Sequence, residues 1–173
     1  MTPSVDLLDR MPSPELREAL LACGGATRWV EGMLAERPFR SEARLRSVAD
    51  EVWHTLGAAD WHEAIARHPR IGARPEHGGL GAAWSAKEQG AVAISSDEAR
   101  AALVEANRAY EARFGHIYIV CATGKSAEEL LGIAQARLAN EPETELAVAG
   151  EELRQIMQLR LAKLLAHDAG VQG

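Results

Sequence analysis

The sequence predicts an all-α fold, a helical bundle of about eight helices with one short extended segment, and three observations predict it. The chain is rich in alanine and only 5% aromatic, so summed helix propensity exceeds strand propensity along most of its length. Apolar residues recur at the helical period, most clearly Leu45, Val48, Ala49, Val52, Trp53 and Leu56, a series that stops at Gly57. Helix-start signals precede several of these runs.

In chain order, Ser13-Pro14 places a capping hydroxyl before a proline at the first helical position and predicts a helix over 14–22. A second is expected over 26–36, and the periodic run at 45–56 is the third. Asp60-Trp61-His62-Glu63 has capping-box spacing and predicts a short helix over 61–67. Gly72 to Gly81 holds four glycines and one proline and reads as a loop. Helices follow over 86–93, 97–113, 127–139 (opened by the Ser126-Ala127-Glu128-Glu129 box) and 143–166. Between the sixth and seventh, the β-branched and aromatic run His116 to Cys121, bounded by Gly115 and Gly124, reads as extended. A lone strand has no sheet to join. Its backbone groups must therefore be satisfied by side chains, water or a ligand, which makes it a candidate wall of a binding site.

The length of 173 residues suits one domain spanning 1–173, since domains run to roughly 100–200 residues. The formal net charge of −6 repels phosphate backbones, so nucleic acid is not an expected partner. The longest apolar stretch, Ile117 to Ala122, is far short of the roughly 20 residues of a membrane span. No basic region followed by an apolar block opens the chain, and no membrane partner is expected. Cys23 and Cys121 stand far apart with no ligand-like cysteine beside either, which suits a reducing compartment, and a cytoplasmic location is expected.

Three residues stand out as candidates for chemistry. His68 precedes Pro69, whose ring disfavours α conformation at the preceding residue, so the imidazole sits where a helix stops. Its unperturbed pKa near 6.5 suits proton transfer, although a surface histidine capping a helix occupies the same position. Glu88 lies in Ser85-Ala86-Lys87-Glu88-Gln89. Ser-x-x-Glu is itself a capping box that needs no further role, yet it follows the glycine-rich loop and can share a cleft with His68. Arg160 falls in the middle of the stripe Leu153, Ile156, Met157, Leu164 and so points inward. A buried guanidinium needs an anion, either a structural carboxylate or an anionic ligand. Arg154 and Lys163 lie nearer the stripe's edges. Trp53 reads as core. His54 and His62 have no second ligand at metal spacing, and no phosphate loop, nucleophile elbow or catalytic-cysteine signature is present. No metal and no cofactor are expected.

Taken together, His68-Pro69-Arg70-Ile71-Gly72, Ser85 to Gln89, Asn107, Tyr110, Phe114-Gly115 leading into Ile119-Val120-Cys121, and Arg160-Leu161 resemble the 2-oxo-4-hydroxy-4-carboxy-5-ureidoimidazoline (OHCU) decarboxylases in order and spacing. Arg37-Pro38-Phe39, Trp53 and Asp60-Trp61 extend the resemblance over nearly the whole chain. It implies an all-α, cofactor-free homodimer that converts the ureidoimidazoline carboxylate to (S)-allantoin and carbon dioxide, the last step of urate oxidation. It further implies that His68 is the catalytic acid or base, that Glu88 assists it, and that Arg160 binds substrate; on chemical grounds Glu88 is expected to fix the His68 tautomer or a substrate N–H. Pro69, Ser85, Gln89 and the backbone of Val120, Cys121, Ala122, Thr123 and Gly124 would complete the pocket. His116-Ile117-Tyr118 departs from the family's more usual aromatic, proline, aromatic. The final Gly170-Val171-Gln172-Gly173 is not a peroxisomal tripeptide, which favours the cytoplasm. Two other readings share these residues: a cofactor-free isomerase or lyase acting on a related small acid, and a non-catalytic helical binding module.

Overall fold

Ala58 opens a helix two residues before Asp60, because Asp60 acts from inside the first turn: its Oδ2 accepts the Gly57 amide at 3.0 Å. The acid expected to precede that helix is thus its third-position cap. The computed structural model describes residues 3–71, 80–88, 90 and 96–170. Among them are nine helices and no strands: α1 Pro3–Arg10, α2 Ser13–Gly24, α3 Thr27–Ala35, α4 Glu42–Trp53, α5 Ala58–Ala66, α6 Leu80–Glu88, α7 Asp97–Phe114, α8 Ala127–Arg137 and α9 Pro142–Gly170.

The described chain divides into two compact units, one formed by the chain up to Glu63 and from Arg154 onward, the other by Ala64–Leu153. In the first unit α2 packs on α3 and α3 on α4. Its core holds Leu8, Leu16, Leu20, Trp29, Val30, Met33, Phe39, Leu45, Val48 and Trp53. Trp53 is core as expected, edge-on to Trp29 at 6.2 Å, and the Trp29 indole donates to the Ala49 carbonyl at 3.0 Å. Arg37 reaches back to the carbonyls of Leu8 and Met11 (both 2.9 Å) and Asp9 (2.5 Å), capping the end of α1. Ser41 caps α4 by accepting the Arg44 amide at 3.2 Å.

In the second unit α7 packs on α8, around a core of Ile71, Leu103, Ala106, Tyr110, Tyr118, Val120, Ala122, Ala127, Leu130 and Ala134. Ser126 and Glu129 form the expected capping box, at 3.1 and 2.7 Å, and Gly115 ends α7 in a left-handed conformation (φ 76°). Residues 117–122 are neither helix nor paired strand.

Three expectations need correction. Ser13 does not cap α2: Pro12 occupies the cap position and no side chain bonds there, so Pro14 and packing carry the start. The helix expected at 86–93 is already helical from Leu80. The final glycine of the presumed loop is tolerated inside α6, because Trp84 and Ser85 are buried and anchor the helix. Of that loop, 72–79 lie outside the described residues, as do 91–93. Helix α1 was not expected at all.

Candidate active site

His68 follows α5 by one tight turn, with its amide 3.0 Å from the Ile65 carbonyl, and Pro69 prevents any continuation. The half-buried ring turns back so that Nδ1 lies 3.0 Å from the Ala64 carbonyl. A carbonyl only accepts, so Nδ1 carries hydrogen in both the neutral and the cationic ring, and Nε2 is the nitrogen that gains and loses a proton. The backbone of α5 therefore fixes the tautomer, one of the two tasks considered for Glu88.

Ser85 lies in mid-helix and is 5% exposed, so Ser85 and Glu88 do not form an N-terminal capping box and that bland explanation of the pair fails. Glu88, on the last turn of α6, is half-buried. Its charge is felt at Cys121: burial pushes the thiol up, and the carboxylates of Glu152 and Glu88 add to that against the opposing Lys125 ammonium and Thr123 amide. The end of α6 and the extended segment thus share one electrostatic environment. Gln89 lies outside the described residues.

The extended segment is tied down by side chains, as a lone strand requires. Asn107 Oδ1 accepts the Tyr118 amide at 3.0 Å, and Glu152 Oε2 accepts the Cys121 amide at 2.7 Å. Arg137 donates to the Ile119 carbonyl at 2.6 Å and Lys125 to the Cys121 carbonyl at 2.8 Å. The Tyr118 hydroxyl donates to the Leu130 carbonyl at 3.0 Å. Among the described residues none accepts from the amides of Val120 or Ala122, both of them buried. Thr123 and Gly124 form an exposed turn beyond them, and Pro69 is half-buried.

Arg137 is itself held in a buried cluster. It pairs with Glu145, which also accepts from the Tyr110 hydroxyl and, at 2.9 Å, from Asn140. The guanidinium lies over the Tyr118 and Tyr110 rings, 5.1 and 5.7 Å from their centroids. Burial works against charge on Glu145, but the hydrogen bonds from Arg137, Tyr110 and Asn140 outweigh it and hold the carboxyl below its ordinary range. Both tyrosines are pushed far up, chiefly by burial, and remain neutral phenols.

Arg160, in the first unit, is inward-facing as expected, 4% exposed beside buried Ile156, Met157, Leu161 and Leu164. One of its donors meets the Ala22 carbonyl at 2.9 Å, in the last turn of α2. That carbonyl belongs to the negative end of the helix dipole, so a helix terminus supplies part of the anionic surroundings for which a structural carboxylate or an anionic ligand was expected. Arg154 pairs instead with Asp50 at 2.8 Å.

The second unit thus gathers His68 and Pro69 next to Ile71, which shares a core with Tyr118, Val120 and Ala122, and brings Glu88 within electrostatic reach of Cys121. Sequence reasoning missed Arg137, Glu145 and Glu152. Only the presence of a lone extended segment, with backbone groups needing partners, signalled that such residues must exist.

The family model for OHCU decarboxylase matches residues 9–162. The chain belongs to the OHCU decarboxylase family. The 2-oxo-4-hydroxy-4-carboxy-5-ureidoimidazoline decarboxylase of Amia calva is 32% identical over 132 residues, 75% of this chain and 75% of its own. The uric acid degradation bifunctional protein TTL of Arabidopsis thaliana is 31% identical over 152 residues, 86% of this chain. This family member spans 47% of that relative's length. A crystal structure of OHCU decarboxylase in the presence of (S)-allantoin matches with 30% identity and a TM-score of 0.73, covering 87% of this chain and 98% of that one.

Proposed function

We propose that this protein decarboxylates 2-oxo-4-hydroxy-4-carboxy-5-ureidoimidazoline to (S)-allantoin and carbon dioxide, without a cofactor. The observation that carries the reading is the His68 imidazole, pinned through Nδ1 to Ala64 so that a single nitrogen, Nε2, is set for proton transfer. As carbon dioxide leaves, the electrons of the broken C–C bond enter the conjugated ring, and one proton is then delivered to one face of a ring carbon. His68 delivers that proton. With the tautomer set by Ala64, Glu88 accepts a substrate N–H, and Arg160 holds an anionic substrate oxygen. Pro69, Ser85, Gln89 and the backbone from Val120 to Gly124 line the substrate, with the Val120 and Ala122 amides donating to it. The whole chain acts as one catalytic domain, a cytoplasmic homodimer. Two buried cysteine side chains agree with that compartment, and no helix among the described residues is long and apolar enough to cross a membrane.

The test follows (S)-allantoin by circular dichroism on freshly generated substrate, for wild type and a folded His68→Ala variant. One-handed product above the racemic background from wild type alone is expected. Only racemic background from wild type defeats the reading and leaves a related acid or a binding role. Light scattering checks the dimer: a monomeric mass at assay concentration excludes it.

A further inference from the structure

We propose that Arg70, Glu111 and Asn107 form a positioning chain that holds the His68 loop in register with the substrate-facing segment, an inference that rests on the decarboxylase reading. Arg70 stands two residues beyond His68 and forks onto Glu111 of α7, with Nε 3.1 and 3.2 Å from the two carboxylate oxygens and a terminal nitrogen at 2.8 Å. The Glu111 oxygen Oε2 accepts from Asn107 Nδ2 at 2.7 Å. Asn107 Oδ1 in turn accepts the Tyr118 amide at 3.0 Å. Each of these contacts pairs a donor with an acceptor, and the amide of Asn107 is oriented by the carboxylate on one side and the backbone N–H on the other.

The spacing explains the chain. Positions 107 and 111 are one turn apart on α7 and share a face, so one helix presents both groups side by side. Helix α7 is thereby the rigid strut between two irregular pieces of backbone, 68–71 and 117–122, neither of which has a regular hydrogen-bond ladder of its own. Ile71, beside Arg70, is buried in the same core as Tyr118 and Val120, so a shift of one backbone piece is transmitted to the other.

Burial separates positioning from stability. The Arg70 side chain is 63% exposed and that of Glu111 25%, whereas Asn107 is 4% exposed. An exposed ion pair contributes little to folding, so removing the Arg70 end leaves the protein folded while releasing the carboxylate that orients Asn107. Its effect is then on catalytic geometry.

Steady-state kinetics on the ureidoimidazoline for wild type, Arg70→Ala, Arg70→Lys, Glu111→Gln and the Arg70→Ala/Glu111→Gln double variant test this, alongside melting temperature and Tyr118 amide exchange. Arg70→Ala is expected to lower kcat/KM about tenfold, mostly through kcat, with an unchanged melting temperature and faster Tyr118 exchange. Arg70→Lys should recover part of the loss, and the double variant should be no slower than Glu111→Gln alone, since both cut one chain. Wild-type kinetics or unchanged Tyr118 exchange in Arg70→Ala overturns the chain, as do losses that multiply in the double variant. An inactive wild type overturns the decarboxylase reading and the chain together, so the two failures are told apart.

Discussion

Arg137 at the end of α8 and Glu145 in the first turn of α9 form a buried ion pair whose free donor clasps the Ile119 carbonyl, so one salt bridge closes the α8–α9 connection and anchors the extended segment. The pair is enclosed, with side chains 8% and 0% exposed, and breaking either half strands a charge away from water. Glu145→Gln is expected to cost about 3–5 kcal/mol, read as a fall in the urea midpoint. Arg137→Met should cost a similar amount and also free the Ile119 carbonyl. A loss within 0.5 kcal/mol, the scale of ordinary surface substitutions, would show that this pair does not anchor the segment.

Acid should find the same cluster. The folded carboxyl of Glu145 lies below its ordinary value of 4.5, so its ionisation favours the native state wherever the unfolded group is also ionised. That stability is complete above about pH 4.5 and is lost as pH falls through the lowered folded value. Tyr110 and Arg137 are both shifted upward and do not titrate in this window. The stability gap between wild type and Glu145→Gln should therefore narrow between pH 6 and pH 3. A gap independent of pH would mean that Glu145 is not ionised in the native protein.

Much of this architecture is legible in the sequence, because amphipathic period and capping residues act locally. Leu45 to Leu56 announces α4, and Ser126 with Glu129 announces α8. Arg160 is readable because a long helix puts one cation among apolar neighbours. Arg137 and Glu145 are unreadable for the opposite reason: a basic residue in a last turn and an acidic one in a first turn match the helix dipole and look like solvated ends. Their burial is decided by Tyr110, Asn140 and the extended segment, all distant choices. The start of α6 was missed because four glycines outweigh the anchoring of Trp84 and Ser85 when only propensity is counted, and α1, at eight residues, is too short to show a period.

The Cys121 thiol is buried and is not activated as a nucleophile in this arrangement. Burial raises its thiol, and two nearby carboxylates act in the same sense, so little thiolate exists near neutrality. Iodoacetamide at pH 7.5 should alkylate native Cys121 much more slowly than the urea-unfolded chain. Cys121→Ala should keep most turnover under the proposed arrangement, in which the backbone of the segment and not the thiol meets the substrate. Rapid alkylation accompanied by loss of activity would reverse that assignment.

The Ala64 carbonyl predicts a single neutral tautomer at His68. In ¹⁵N-labelled protein above the imidazole pKa, Nδ1 should resonate as a protonated nitrogen and Nε2 as an unprotonated one. Glu88→Gln should leave that assignment unchanged while weakening turnover. If instead Glu88→Gln inverts the tautomer, the carboxylate and not the α5 backbone sets the ring, and Glu88 returns to the role of orienting His68.

Arg160 holds the end of α2, and substitution should separate that contact from its proposed role toward substrate. Its contact with the Ala22 carbonyl stabilises the end of α2, and a charged hydrogen bond of that kind contributes about 1.5–3 kcal/mol. A role toward substrate oxygen would be additional and would depend on the planar fork of the guanidinium. Arg160→Lys keeps a cation able to reach a carbonyl but presents a single point of charge. It should therefore retain much of the stability while raising KM and lowering kcat/KM strongly. Arg160→Ala should lose both, destabilising the chain and abolishing measurable turnover. The decisive comparison is between the two variants: if Arg160→Lys is as active as wild type, the guanidinium serves the fold and another group must hold the substrate anion.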